Sequence, residues 1–182
     1  MKSLTDLLDN LKFTCSKPEI ESIKVLDLSA DSRIISPGTV FVAVKGCAVD
    51  GHRFIGQAVR NGCIAVVADQ SWLDATTEEL DVPIIGVTDS REALGSMAAI
   101  LCGKPSKELI LIGVTGTNGK TTTTYILESI ILQSGGKPGV IGTINYRYDR
   151  HVVPATQTTP DSINVQKTLR EMADSGVTHV VM

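Results

Sequence analysis

The sequence predicts an α/β protein built from two consecutive domains. Short apolar runs alternate with amphipathic helical stretches along all 182 residues, a pattern typical of sheets flanked by helices. Between two such patterns lies Gly103-Lys104-Pro105-Ser106-Lys107, which is polar, rich in helix breakers and therefore the best candidate for a linker. We expect a small α/β domain over residues 1–103 and the start of a doubly wound domain, truncated at its carboxyl end, over residues 108–182.

In the first domain, leucines at helical spacing predict an opening helix over about residues 4–11. Three apolar runs predict buried strands, because each is short, continuous and bounded by turn residues. A second helix is expected to end at Asn61-Gly62, and a third to run from about Ser90 to Leu101. The three predicted strands cover residues 39–44, 64–68 and 83–87.

The second domain opens with an apolar run over residues 109–114, which is typical of a central parallel strand. A helix should follow as far as Gln133, and further strands are expected over residues 140–144 and 177–181. Between those strands, Thr159-Pro160 predicts an N-cap and the first turn of another helix. The residues expected to be buried on the two helices are Ile126, Leu127, Ile130 and Ile131, and Val165, Leu169, Met172 and Ala173.

Composition excludes several classes of function. With 42% hydrophobic and 20% charged residues, the chain should fold and not be disordered. A net charge of -3 and a pI near 5.6 argue against nucleic acid as a partner. No signal peptide and no membrane-length apolar run is present, so we expect a cytoplasmic protein with no membrane contact. We also expect a monomer. The scattered residues Cys15, Cys47, Cys63 and Cys102 lack zinc-ligand spacing and predict reduced thiols.

A glycine-rich turn between the strand at 109–114 and the following helix carries the main functional signal. Such a turn directs backbone N–H groups and the positive end of the helix dipole at one point, which suits phosphate. Lys120 can reach the outer phosphates of ATP, and the Thr121 hydroxyl can bind Mg²⁺. The common pattern would place glycine at Val114, whereas this chain has Gly113. The expected ATP-binding residues are Gly116, Thr117, Asn118, Gly119, Lys120, Thr121 and Thr122.

The turn Gly-Thr-Asn-Gly-Lys-Thr-Thr-Thr resembles the phosphate loop of the Mur ligase family, whose members form amide bonds with ATP. Further motifs along the chain are similar to the family's UDP-binding N-terminal domain and to the branch that extends UDP-N-acetylmuramoyl-L-alanyl-D-glutamate. The added residue in that branch is diaminopimelate or lysine. These motifs are Asp31-Ser32-Arg33, Pro37-Gly38, Phe41-Val42-Ala43, Lys45-Gly46, Asp50-Gly51-His52-x-Phe54, Gly142-Thr143-Ile144 and Thr158-Thr159-Pro160-Asp161.

The resemblance implies substrate contacts in three places. Ala30 and Ser32 fall where the family binds the uridine nucleotide, and Cys47, Ala48 and Val49 fall at a further uridine contact. The muramoyl-dipeptide is expected to lie against Gln157, Thr158 and Thr159. The implied chemistry is phosphorylation of the glutamyl carboxylate by ATP and attack of an amine on the acyl phosphate, with Lys120 as the catalytic residue.

Other interpretations remain open from the sequence. A ligase that adds D-alanyl-D-alanine shares the Asp-Ser-Arg type of N-terminal domain, and folylpolyglutamate synthetase shares the phosphate loop alone. A non-catalytic nucleotide-binding module is the alternative from another class. In the family, a magnesium-binding glutamate and an amino-acid-selecting domain follow the position of Met182, so we expect this chain alone to be inactive in ligation.

Overall fold

The computed structural model describes residues 1–17, 19–46, 49–76, 79–155 and 161–182. These residues form two compact units, Met1–Leu101 and Cys102–Met182. Each unit contains a sheet with a parallel centre and helices, which confirms the predicted α/β class. No helix among the described residues is long and apolar enough to span a bilayer.

The first unit contains seven strands, four α-helices and a 3-10 helix among its described residues. The elements are β1 Lys2–Ser3, α1 Leu4–Leu7, β2 Phe13–Cys15, β3 Lys24–Val25, β4 Asp27–Ser29, β5 Thr39–Val42, a 3-10 helix Gly51–Phe54, α2 Ile55–Arg60, β6 Ala65–Asp69, α3 Gln70–Ala75, β7 Ile84–Val87 and α4 Ser90–Leu101. Five of the strands form a sheet in the order β2-β7-β6-β5-β4. Strands β4 to β7 are parallel, and β2 pairs antiparallel with β7 at the edge. A separate pair joins β1 to β3.

The central strands of this sheet are buried on both faces, as parallel strands covered by helices usually are. Phe41 of β5 packs with Ile55 and Ala58 of α2. The helix α4 contacts β4, β5 and β6 and also packs against α1. This packing fixes the loops that leave the carboxyl ends of β4, β5 and β6, where open α/β sheets bind ligands.

The second unit contains five strands, two α-helices and a 3-10 helix among its described residues. The elements are a 3-10 helix Pro105–Lys107, β8 Ile110–Ile112, α5 Lys120–Gln133, β9 Pro138–Ile141, β10 Asn145–Tyr148, β11 His151–Pro154, α6 Ser162–Asp174 and β12 His179–Val181. The strands form one sheet in the order β11-β10-β9-β12-β8. Strand β12 lies between β9 and β8 and pairs parallel with both, whereas β10 and β11 form an antiparallel hairpin.

The buried face of α5 is narrower than the sequence predicts. Ile131 is buried, together with Thr124 two turns earlier, but Ile126 and Ile130 are 55% and 57% exposed. Those two burial predictions are wrong, and Leu127 is only half-buried. Because α5 contacts β9 and β12 along one stripe, the opposite side of the helix stays uncovered by the described residues.

The hairpin β10–β11 is absent from the sequence prediction, which extends one strand over residues 140–144. Strand β9 ends instead at Ile141, and the Gly142 N–H donates to the Asn145 carbonyl at 3.1 Å. The hairpin then turns at Asp149, which adopts a positive φ of 49°. This turn contains no glycine, so the commonest sequence signal for a hairpin is missing.

Helix α6 is capped by Asp161, whose carboxylate accepts a hydrogen bond from the Asn164 N–H at 2.8 Å. The predicted cap at Thr159-Pro160 lies outside the described residues. Leu169 and Met172 of α6 are buried as predicted, in a cluster with Ile141 and Val180 of the sheet.

We expect Met172→Ala to lower the free energy of unfolding of the second unit by about 2–5 kcal/mol, because the side chain is fully buried. Ile130→Ala is the matched control, and its exposed side chain should change that free energy by within about 0.5 kcal/mol. Urea titration followed by circular dichroism measures both. Equal losses in the two variants would contradict the described core.

Candidate functional site

The glycine-rich turn of the second unit connects β8 to α5. Gly116 and Gly119 have φ values of 148° and 78°, which residues with a Cβ rarely adopt, and Gly119 directly precedes the first turn of α5. None of the N–H groups of residues 115–119 donates a hydrogen bond to another described residue. These donors, at the N-terminus of a 14-residue helix, can therefore bind an anion.

Val114 occupies the position where the common phosphate-loop pattern has glycine. Its N–H donates to the Met182 carbonyl at 2.6 Å, and the Met182 N–H donates to the Ile112 carbonyl at 2.9 Å. Val114 thus continues the parallel pairing of β8 with β12 and does not adopt a positive φ. A side chain is accommodated here, so the departure from the pattern leaves the turn intact.

A cavity of about 290 Å³ opens beside the turn. Gly116, Lys120 and Thr121 line it, as the sequence predicts for an ATP-binding turn. The Lys120 ammonium donates to the Gly116 carbonyl, so its charge lies against the turn itself. Thr117, Asn118 and Gly119 belong to the same exposed turn, and Thr122 is exposed in the first turn of α5. The remaining lining residues are Val114, Thr115, Thr124, Tyr125, Ile141, Gly142, Thr143, Ile144, Arg147 and Met182.

Arg147 brings a second cation to this cavity, and the sequence did not point to it. Its guanidinium binds Glu128 of α5 with nitrogen–oxygen distances of 2.6 to 3.1 Å and lies 4.1 Å from the centre of the Tyr125 ring. The ion pair is largely buried. It fastens β10 to α5 and so fixes one wall of the cavity. Arg147 lies on β10, a strand that the sequence did not predict, so its position beside the cavity could not be predicted either.

Magnesium would need ligands beyond those the turn provides. The Thr121 hydroxyl lines the cavity, and the described residues contain no group of three acidic, histidine or cysteine side chains that could hold a metal. A single hydroxyl fits a Mg²⁺ ion whose other ligands are phosphate oxygens and water.

The first unit has its own cavity, of about 400 Å³, at the carboxyl ends of β4 and β5. Ala30, Ser32 and Val49, three of the residues predicted to contact a uridine nucleotide, line it. The other lining residues are Asp31, Arg33, Val44, Gly51, Phe54 and Gln57. Cys47, Ala48, Gln157, Thr158 and Thr159, which were also predicted to bind substrate, lie outside the described residues.

Ser32 is held in place by helix α2. Its hydroxyl donates to Gln57 Oε1 at 2.9 Å, and its carbonyl accepts from Asn61 Nδ2 at 2.7 Å. Phe54 lies one turn before Gln57 and is 40% exposed, so an aromatic ring and an amide face the same cavity. The sequence did not single out Gln57, although its helical spacing from Phe54 was a usable signal.

Asp31 and Arg33 form an ion pair at the rim of this cavity. The Arg33 guanidinium donates to both carboxylate oxygens, the shortest contact being 2.6 Å, and the Arg33 N–H donates to Oδ1 at 2.9 Å. The side-chain hydrogen bonds from Arg33, followed by the backbone one, lower the pKa of Asp31 from 3.8 to about 2. The rim therefore keeps a fixed loop shape and an exposed cation at neutral pH.

Two protein-family models match the chain. The model described as the Mur ligase family catalytic domain matches residues 24–100, and the Mur ligase middle domain matches residues 114–182. Each model falls within one of the two described units.

Curated relatives point to one branch of that family. The chain is 44% identical over 158 residues to the UDP-N-acetylmuramoyl-L-alanyl-D-glutamate--2,6-diaminopimelate ligase of Geobacillus thermodenitrificans, which covers 87% of this chain and 31% of that protein. The ligase of the same name from Bacillus licheniformis is 40% identical over 179 residues, covering 98% of this chain and 36% of the relative. The chain thus spans about a third of the length of these relatives.

Solved structures share the fold. A UDP-N-acetylmuramoyl-L-alanyl-D-glutamate--2,6-diaminopimelate ligase matches with a TM-score of 0.77 at 24% identity, over 99% of this chain and 35% of that one. The D-alanyl-D-alanyl-adding ligase of Acinetobacter baumannii gives 0.63 at 25% identity, with the same coverage. The MurF ligase of Thermotoga maritima, in complex with ADP, gives 0.54 at 27% identity over 88% of this chain and 32% of that one.

We expect Arg33→Gln to raise the pKa of Asp31 from about 2 toward 3.8, because the guanidinium is the main cause of the lowered value. The folded pKa lies below the ordinary one, so the pair stabilises the loop above pH 3.8 and this contribution disappears as pH falls through about 2. A carboxyl-carbon NMR titration measures the midpoint. Asp50, whose pKa is lowered by His52, serves as the unaffected control, and an unchanged Asp31 midpoint would contradict the ion pair.

Proposed function

We propose that this chain forms the uridine-nucleotide-binding and ATP-binding part of an ATP-dependent ligase of peptidoglycan synthesis. The chain belongs to the Mur ligase family, since two models of that family together match residues 24–100 and 114–182. One observation carries the proposal: a phosphate-binding turn with a lysine at the carboxyl end of a parallel strand, in a unit that matches the middle domain of these ligases. The relatives' names supply the reaction. A cytoplasmic location and a monomeric state are part of the same proposal.

The proposed division of labour follows the two units. Residues 1–103 would bind the UDP end of the muramoyl-dipeptide through Ala30, Ser32 and the loop containing Val49. Residues 108–182 would bind ATP through the turn at Gly116–Thr122, with Thr121 contacting Mg²⁺. Catalysis would rest on positioning of the two substrates and on charge neutralisation by the turn and Lys120.

In the proposed reaction, the glutamyl carboxylate attacks the γ-phosphorus of ATP, which releases ADP and leaves an acyl phosphate. The amine of diaminopimelate then attacks the carbonyl carbon, loses a proton and expels phosphate, so that an amide remains. Anionic groups must approach one another in the first step. Lys120 and the N–H groups of the turn are the described charges and dipoles that would stabilise that approach.

Diaminopimelate is the amino acid that the relatives' names support, and lysine is the alternative. The structure most similar in TM-score among those compared above acts in the same branch, although its identity of 24% supports the fold alone. The D-alanyl-D-alanine-adding ligases share the fold at lower TM-scores. Because the relatives' names give UDP-N-acetylmuramoyl-L-alanyl-D-glutamate, the dipeptide is the proposed muramoyl substrate, and the tripeptide is the competing one.

We expect Lys120→Ala to weaken binding of MgATP to this chain by at least about tenfold, because it removes a charged hydrogen-bond donor from the phosphates. Lys107→Ala is the control, since Lys107 is exposed in the 3-10 helix Pro105–Lys107 and does not line the cavity. Isothermal titration calorimetry measures both affinities. Wild-type affinity in Lys120→Ala would disprove the proposed phosphate contact.

The muramoyl substrate can be tested on the same chain. We expect UDP-N-acetylmuramoyl-L-alanyl-D-glutamate to bind tighter than the corresponding UDP-muramoyl-tripeptide, because the relatives are named as ligases that act on the dipeptide. Competition calorimetry gives the ratio of the two affinities. A preference for the tripeptide would contradict the proposed substrate and would favour the D-alanyl-D-alanine-adding branch. If the chain binds ATP and neither muramoyl ligand, a generic nucleotide-binding module is favoured.

A further inference from the structure

His52 is a buried side chain of the first unit with a hydrogen bond at each ring nitrogen. It is 6% exposed and lies in the 3-10 helix Gly51–Phe54. Its Nδ1 is 2.6 Å from Asp50 Oδ1, and its Nε2 is 3.0 Å from the backbone nitrogen of Asp69. The ring also stacks on Trp72 of α3, with centroids 5.8 Å apart. One imidazole therefore joins the loop after β5 to the end of β6 and to α3.

These contacts fix the tautomer of His52. The Asp69 N–H can only donate, so Nε2 must be the acceptor and carries no proton. With Nε2 as the acceptor, Nδ1–H donates to the Asp50 carboxylate. Asp50 also accepts a hydrogen bond from the His52 backbone N–H at 3.0 Å. The side chain of Asp50 is thus held by two donors from the same residue.

Asp50 closes the loop that forms one wall of the cavity in the first unit. It forms an antiparallel bridge with Lys45, and inside that bridge the Gly46 N–H donates to the Val49 carbonyl at 2.9 Å. Outside it, the Gly51 N–H donates to the Val44 carbonyl at 3.0 Å. A Cβ on Gly51 would lie 2.6 Å from that carbonyl oxygen, so the approach requires glycine. Val44, Val49 and Gly51 all line the cavity.

Both Asp69 and the loop that contains Lys45 are also hydrogen-bonded to helix α4. Asp69 Oδ1 accepts from the Ser90 N–H at the start of α4 at 2.7 Å. Arg91 of α4 donates to the Lys45 carbonyl, also at 2.7 Å. The Asp69 side of His52 therefore leads to a rigid helix, whereas the Asp50 side leads to the loop that faces the cavity. His52 itself does not line the cavity.

We infer that His52 is a positioning residue, whose Nδ1–H holds Asp50 and thereby sets Val44, Val49 and Gly51 in the cavity wall for a uridine diphosphate ligand. This inference rests on the proposed function, which assigns the cavity to the UDP end of the substrate. His52 does not line the cavity and would act on the ligand site through Nδ1, which holds Asp50. The other nitrogen serves the stability of the unit.

Two substitutions separate the two ring nitrogens. His52→Asn places an amide N–H where Nδ1–H was and keeps the bond to Asp50, but it loses the acceptor for Asp69. His52→Gln places an amide oxygen where Nε2 was and keeps that acceptor, but it loses the donor to Asp50. Both variants lose the ring that stacks on Trp72 and one hydrogen bond, so their thermal stability should fall by similar amounts.

We expect His52→Gln to weaken binding of UDP to this chain about tenfold, as the loss of one hydrogen bond to a charged group implies. His52→Asn should bind UDP within about twofold of the wild type. Calorimetry gives the affinities, and the melting temperature confirms that each variant is folded. Equal loss of affinity in both variants would show a merely structural role and overturn the inference, as would wild-type affinity in His52→Gln.

Amide hydrogen exchange at Gly51 tests the positioning without any ligand. The Gly51 N–H should exchange faster in His52→Gln than in His52→Asn, because only the former releases the loop. If wild-type chain does not bind UDP, the uridine assignment of the cavity fails, and the exchange rates still decide the role of His52. Equal exchange in the two variants would overturn that role even if UDP binds.

Discussion

Parallel pairing of β12 with β8 is the interaction on which the nucleotide site of the second unit depends. The bonds between Val114 and Met182 and between Met182 and Ile112 extend this ladder to the last residue before the glycine-rich turn. The chain must therefore reverse within a few residues to enter α5. Positive φ values at Gly116 and Gly119 permit that reversal and leave a row of backbone donors facing outward. Lys120 adds charge to a geometry that the backbone has already set.

In the first unit, side chains and not a continued strand ladder hold the loops around the cavity. Its cavity also lies at the carboxyl ends of parallel strands, where no regular ladder continues. Loops there are fixed by Asp31 with Arg33, by Ser32 with α2, and by Asp50 with His52. A phosphate site can rely on N–H groups because phosphate is strongly charged. The uracil base of a uridine nucleotide is neutral and needs shaped walls, which agrees with polar side chains holding the loops of this unit in place.

Much of the fold and part of the site could be predicted from the sequence. The apolar runs around Phe41 and Val66 and the turn at Gly116–Lys120 carry strong local signals, because parallel strands and phosphate loops constrain residue type directly. The hairpin containing Arg147 lacks a glycine turn, and the exposed side of α5 looks apolar in sequence, so both were misjudged. His52 makes one hydrogen bond to Asp50, two residues away, and one to Asp69, 17 residues away. The second contact depends on the tertiary fold, so no local pattern encodes it.

If the two units bind two different nucleotides, MgATP and UDP should perturb different residues of this chain. Amide chemical-shift mapping with each nucleotide in turn measures this. We expect MgATP to shift the amides of residues 115–122 and UDP to shift those of Ala30, Ser32 and Val49, each without displacing the other. Competition of the two nucleotides for one set of amides, or shifts from MgATP confined to the first unit, would contradict it.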